Sequence, residues 1–210
     1  MANIIHIKII PAIARLWVRK IKGIENLPKE KVGFIVACNH ASYLDHFILG
    51  GTVASNTNRM VHFLSKKEHF HGKQRKWHEF LQAIPIDRQA GGKSGLEAAV
   101  KVLKKGKIIA IYPEGTRTLT GKMNRAKTGI ARLVLAAKVP VLPVGLMNTF
   151  KILPKGKNIP KFKRTDVNIG KLMYFDKYYE KGNDHKTLRL VTNKIMKEIA
   201  KLCKQKYNFS

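Results

Sequence analysis

The chain has 210 residues, 44% of them hydrophobic, which fits one globular domain with a real core and excludes disorder as the default. Its 41 Lys and Arg against 13 Asp and Glu give a net charge of +28, spread along the whole chain. Such a field favours phosphate-bearing or acidic partners: nucleic acid, anionic lipid head groups, or acidic carrier proteins and cofactors. The two cysteines, Cys38 and Cys203, have no metal-type spacing and imply no disulfide framework, as in a reduced cytosolic setting.

The N-terminal stretch MANIIHIKIIPAIARLWVRKIKG repeats Ile5, Ile9, Ile13 and Trp17 at helical spacing, with Lys8, Arg15 and Arg19 mostly elsewhere on the wheel. Lys8 interrupts what would be the apolar part of a secretory signal, and no uncharged apolar run approaches the ~18 residues of a membrane span. Two readings stand: a basic amphipathic helix over residues 1–18 lying in a membrane interface, or a first helix packed on the domain and bent by Pro11.

From there strands and helices alternate. LWVRKIKG and VGFIVAC read as strands, LDHFILGGTVAS as a helix, RMVHFLS as a strand and KKEHFHGKQRKWHEFLQ as a polar helix. AIPI is a short buried strand, KSGLEAAVKVLKKG a helix closed by Gly106, KIIAIYP a strand stopped by Pro113, and TGIARLVLAAK a helix. VPVLPVGLM and DVNIGKLMYF follow as strands. The last helix, KTLRLVTNKIMKEIAKLCKQ, carries Leu188, Val191, Ile195, Ile199 and Leu202 as a core stripe. Continuously apolar short strands between helices predict an α/β fold: a mostly parallel central sheet flanked by helices, in a single domain over residues 1–210, with sites in the loops beyond the strand ends. GGKSG at 91–95 resembles the end of a phosphate-cradling loop, but the first glycine of that pattern is Asp87 here, so the stretch reads as a helix lead-in.

Three loop clusters could carry chemistry. In NHASYLD, residues 39–45, Ser42 and Asp45 make a helix-capping pattern, and His40 could be an ordinary loop residue. The same spacing also lets a carboxylate in the first helical turn orient a loop histidine, fix its tautomer and stabilise the imidazolium formed when it takes a proton. No serine is forced as a nucleophile, so the simplest use is a histidine base acting on a substrate hydroxyl. Cys38 beside it reads as the last buried residue of a strand rather than as a thiol nucleophile. In YPEGTR, residues 112–117, Gly115 permits close backbone approach and Arg117 offers a planar fork suited to phosphate. In IPIDR, Arg88 follows a short strand.

In this order the clusters resemble the glycerolipid acyltransferase family, which includes the 1-acylglycerol-3-phosphate acyltransferases. The first block, N-H-x-x-x-x-D, is matched by Asn39, His40 and Asp45; the second by AIPIDR and Arg88; the third, [FY]-P-E-G-[ST]-R, by Tyr112 to Arg117; and the fourth, an apolar segment with prolines, by VPVLPVG. KGIENLP at 22–28 looks like the usual lead-in, and the likeness covers about residues 20–147. The glycine usual six residues before the second-block arginine is Gln82 here.

The resemblance implies an acyltransferase that moves a fatty acyl group from acyl-CoA or acyl-ACP, as co-substrate, to the sn-2 hydroxyl of 1-acylglycerol 3-phosphate, making phosphatidic acid without metal or other cofactor. His40 is then the base and Asp45 its orienting group. Glu114 and Gly115 shape the acceptor site, Arg88 and Arg117 hold its phosphate, Asn39 and Thr116 count among the substrate-binding positions, and Lys127 in AKTGIARL is accessory. Glycerol 3-phosphate, another lysophospholipid or a hydroxylated lipid are alternative acceptors within the class. A thioester is already activated, so positioning the hydroxyl beside one base supplies much of the catalysis.

The loop FKILPKGKNIPKFKR, residues 150–164, interleaves six cations with Ile152, Leu153, Ile159 and Phe162, a composition suited to an anionic leaflet. The expectation is peripheral or monotopic docking on the cytoplasmic membrane face by this loop and the N-terminal helix, with a solvated basic loop as the plain alternative. The rival from another class, a nucleic-acid-binding protein, rests on charge alone. With 8% aromatics and no reading module in the sequence, no nucleic-acid partner is expected.

Overall fold

The computed structural model describes residues 4–87, 93–181 and 184–209. Seven strands form one sheet: β1 Val18–Lys22, β2 Phe34–Cys38, β3 Val61–Lys66, β4 Ile84–Ile86, β5 Ile108–Ile111, β6 Val141–Leu146 and β7 Thr165–Ile169, in the order β1-β7-β6-β2-β5-β3-β4. Every neighbouring pair is parallel except β6 with β7. The mostly parallel sheet expected from the sequence is therefore present, with one antiparallel step toward the β1 edge.

All five residues of β2 are buried, which explains its unbroken apolar run: both faces of the strand are covered. Phe34, Val36 and Cys38 face one core, together with Ile48, Leu49 and Val53 of helix α2, Asp45–Thr57. Ile35 and Ala37 face the other core, against helices α4 (Lys93–Lys104), α5 (Gly129–Ala137) and α6 (His185–Leu202). The predicted stripe of α6 is realised: Leu188, Val191, Ile195 and Ile199 are buried, and Leu202 half-buried. That helix is capped by Asp184, whose carboxylate accepts from Thr187 N at 2.9 Å.

The N-terminal segment winds through a π turn (Ile5–Ile9), helix α1 (Ile10–Ala14) and a 3₁₀ turn (Arg15–Trp17). Its inward line is His6, Pro11 and Ala14, and it lies low on α2 because a Cβ at Gly51 would come 3.0 Å from Pro11 Cα. Ile4, Ile9, Ile13 and Leu16 point outward and are exposed. The isoleucine stripe read from the sequence thus splits: Ile9 and Ile13 face away from the domain, while Ile5 and Trp17 are half-buried. The packed reading is realised on the inward face, while the outward isoleucines are left exposed. Among the described residues no helix is long and apolar enough to cross a membrane.

Two element expectations change. The polar helix expected over 66–82 is a 3₁₀ turn at Lys67–Phe70 followed by α3, Gly72–Phe80, divided where Gly72 takes a φ of +56°. The strand expected over 166–175 ends at Ile169, and Met173 returns only for a single bridge to Val141. Helix α3 closes with Gln82 N donating to Glu79 O at 2.9 Å and Ala83 N to His78 O at 2.9 Å, a Schellman pair that requires left-handed backbone between them. Gln82 supplies it at φ +47°. The position thus has a backbone requirement suited to glycine, which glutamine meets under strain.

Gln82→Gly should raise stability by up to about 1 kcal/mol, or roughly 2–4 °C in Tm, because relief of the left-handed conformation exceeds the added freedom of the unfolded chain. Urea or thermal unfolding of the two proteins checks this; an unchanged or lowered midpoint contradicts it.

Candidate active site

Strands β2 and β5 are neighbours, with Ala37 beside Ile111, so the loops that follow them leave the sheet side by side. This adjacency brings residues 39–45 against residues 112–118. The two loops are tied directly: Thr118 N donates to His40 O at 3.0 Å, and His40 N donates to Glu114 Oε1 at 2.8 Å. The other oxygen of Glu114 accepts from Asn124 N at 2.6 Å. Glu114 is 2% exposed, so the expected acceptor-site residue stands behind the cavity wall and holds the histidine loop in place. Burial pushes its carboxyl up to about 7, aided by the Asp45 charge and opposed by the two amide donors.

Asp45 opens α2 and is fully buried. Its Oδ2 accepts from Ala41 N at 2.7 Å and Ser42 N at 2.8 Å, and lies 2.9 Å from His40 Nδ1. The capping reading and the orienting reading are both realised by one oxygen. The Ser42 hydroxyl accepts from Leu44 N at 3.2 Å, in place of the Asp45 amide a capping box would give it, and donates to Leu153 O at 3.1 Å. With the carboxylate at Nδ1, the neutral ring carries its proton there and leaves Nε2 as the basic nitrogen.

The imidazole plane is set by stacking. His40 lies on Tyr112 with ring centroids 4.0 Å apart and planes 16° apart, and His46 meets it edge-on at 5.3 Å. His46 also packs on Phe63 and Tyr112. Enclosure among these rings, with His40, Arg117 and His78 nearby, holds His46 down to about 3, so it stays neutral beside His40. Burial pushes the Cys38 thiol well up, with Asp45 adding to the effect, so this group is no thiolate near neutral pH.

His40 lines a cavity of about 1100 Å³ at the carboxyl ends of the strands. Apolar side chains such as Phe63, Leu96, Ile130 and Leu133 make much of its wall, and His6 and Ile10 of the N-terminal segment contribute to it as well. Gly115, Thr116, Arg117 and Lys127 also line it, so four of the expected site residues join His40 there. Gly115 takes a φ of +71°, and a Cβ on it would come within 3.3 Å of Lys127 Cδ, so the lysine stem lies across the glycine. Asn39 is different. Its amide donates to Leu146 O at 3.0 Å and accepts from Leu146 N at 2.8 Å, and at 3% exposure it belongs to the loop's scaffold rather than to the wall. Arg88 lies outside the described residues. The arrangement can take a proton from a hydroxyl held in the cavity while a cation grips an anion alongside.

Sequence reasoning missed Tyr112 and His46 as partners of His40, although each adjoins a residue it singled out. An aromatic at the end of a buried strand beside the histidine's strand was the available signal for Tyr112.

The family model Acyltransferase matches residues 18–147. The 1-acyl-sn-glycerol-3-phosphate acyltransferase of Bacillus subtilis (strain 168) is 35% identical over 143 residues, 66% of this chain and 68% of that protein. The chloroplastic 1-acyl-sn-glycerol-3-phosphate acyltransferase BAT2 of Brassica napus is 30% identical over 156 residues, 69% of this chain but 44% of its own length. The crystal structure of the 1-acyl-sn-glycerophosphate acyltransferase PlsC from Thermotoga maritima superposes with a TM-score of 0.72 at 24% identity, covering 97% of this chain and 81% of that one. At that identity the likeness speaks for the fold.

Because burial raises Glu114 from 4.5 to about 7, the folded protein binds that proton more tightly than the unfolded chain does. Its contribution to stability is full below pH 4.5 and is lost as pH rises through about 7. The stability difference between wild type and Glu114→Gln should therefore move against the wild type across that window in denaturant titrations. A difference independent of pH contradicts the assignment.

Proposed function

The chain belongs to the Acyltransferase family, and from that premise we propose that it acylates the sn-2 hydroxyl of 1-acylglycerol 3-phosphate from an acyl thioester, giving phosphatidic acid and a free thiol. The observation that carries this reading is His40, backed by the buried Asp45, on the wall of a largely apolar cavity that Arg117 also lines. His40 Nε2 takes the hydroxyl proton as the oxygen attacks the thioester carbonyl. The negative charge that develops on the carbonyl oxygen returns to reform the double bond as the C–S bond breaks, and the imidazolium gives its proton to the departing thiolate. Asp45 offsets the positive charge on the ring during that interval. Arg117 binds the acceptor's phosphate through its planar fork, with Lys127 and Arg88 as further cations. The donor is the thioester of coenzyme A or of an acyl carrier protein, and the reaction as written draws on no other cofactor.

A membrane surface supplies the acceptor and receives the product. The outward residues Ile9, Ile13 and Leu16 and the loop 150–164 support docking on an anionic leaflet as one patch, since Trp17 stacks on Phe162 with centroids 6.5 Å apart. Phe162 is 92% exposed and Ile159 82%, and six cations accompany them in the loop.

His40→Ala should lower kcat by at least about 10²-fold while leaving the unfolding midpoint within a few degrees, measured by thiol release with 1-acylglycerol 3-phosphate. Turnover at the wild-type rate refutes the base assignment. A panel of glycerol 3-phosphate and other lysophospholipids in the same assay tests the acceptor.

Sedimentation with vesicles should recover more protein on anionic than on neutral lipid, and salt should weaken that recovery. Phe162→Ser combined with Ile13→Ser should reduce it further. Equal, salt-insensitive recovery on both lipids defeats the docking reading.

A further inference from the structure

Tyr43 stands at the cavity rim, 40% exposed, in the loop between His40 and Asp45. Its ring lies directly against Arg117, with the guanidinium carbon 3.3 Å from the ring centroid. Among the described residues Arg117 makes no ion pair, and the Tyr43 ring supports its head group. We propose that Tyr43 is a positioning residue for the acceptor: its ring face holds the Arg117 guanidinium flat, so that the edge of the fork is presented to a phosphate in the cavity. This deepens the acyltransferase reading and rests on it.

The physical advantage lies in which part of the guanidinium is used. A carboxylate partner would occupy two of the five in-plane N–H donors and neutralise the charge. A ring below the plane occupies none of them and leaves the charge intact. It also removes much of the rotamer freedom that a long side chain loses on binding. Tyr43 is itself held, since its backbone N–H donates to Leu153 O at 2.9 Å and the same carbonyl accepts from the Ser42 hydroxyl. Placement in the histidine loop matters as well. An acceptor phosphate and its reacting hydroxyl sit within a separation limited by the short covalent link between them, and the base and the phosphate fork are registered to each other by one short loop carrying both His40 and Tyr43.

The test is steady-state kinetics on 1-acylglycerol 3-phosphate with wild type, Tyr43→Leu, Tyr43→Phe, Arg117→Ala, Arg117→Lys and the Tyr43→Leu/Arg117→Ala double variant. Folding of each is checked by its thermal melt. Tyr43→Leu should raise the acceptor KM about three- to tenfold, with kcat and donor KM within about twofold. Tyr43→Phe, which keeps the ring face, should restore the wild-type KM. Arg117→Lys keeps the charge without a plane to stack, and should raise the KM as Tyr43→Leu does. In the double variant Tyr43→Leu should add nothing to Arg117→Ala. Additive effects, a loss in Tyr43→Phe equal to that in Tyr43→Leu, a wild-type KM in Arg117→Lys, or a fall in kcat at constant KM overturns the proposal. If Arg117→Ala raises the acceptor KM and Tyr43→Leu does not, the platform alone fails. An unchanged acceptor KM in Arg117→Ala removes the phosphate reading and the platform together.

Discussion

One carboxylate oxygen organises the catalytic loop. Asp45 Oδ2 gathers the amides of Ala41 and Ser42 together with the imidazole Nδ1 of His40, so donors from three consecutive residues converge on one point at the first turn of α2. The amides fix the path of the backbone and the ring nitrogen fixes the tautomer, so geometry and proton placement have the same source. Two charge-assisted bonds from backbone amides, each worth more than a neutral one, also stabilise the negative charge at Oδ2 of this fully buried carboxyl. The helix N-terminus acts in the same direction.

Around that point the site is assembled by a second carboxylate with a different task. Glu114 belongs to the loop after β5, yet one of its oxygens serves the amide of His40 and the other that of Asn124. It therefore spans both loops, and Tyr112, two residues earlier, contributes the surface on which the imidazole lies flat. The parallel pairing of β2 with β5 makes this possible, because loops far apart in sequence begin at neighbouring strand ends. A sheet in another order would keep every motif residue and lose the site.

The sequence was most legible where one physical requirement dominated. Continuous burial made β2, β5 and β6 readable as parallel strands, and the period of α6 made its stripe readable. His40 and Asp45 could be paired because they are local, five residues apart and across a helix start. Contacts between distant segments were not available from spacing. That Glu114 would turn away from the cavity toward a backbone amide, or that Tyr43 would lie under Arg117, depends on the strand order. The N-terminal stripe left two readings open for a related reason: helical periodicity identifies an apolar face without saying whether protein or another apolar phase covers it, and here Ile9 and Ile13 look outward.

Asn39 shows what a motif letter can stand for. The last residue pair of β2 and β6 is Cys38 with Val144, and beyond it the Asn39 carboxamide engages the N–H and C=O of Leu146 as a further peptide unit would. A side chain thus finishes the ladder on behalf of the main chain, and the backbone is released to turn toward His40 one step before the pairing stops. Such a surrogate must donate and accept at once. Aspartate would set oxygen against the Leu146 carbonyl and leucine would leave both groups bare in a dry interior, so at this position shape alone is no substitute for the amide's polarity.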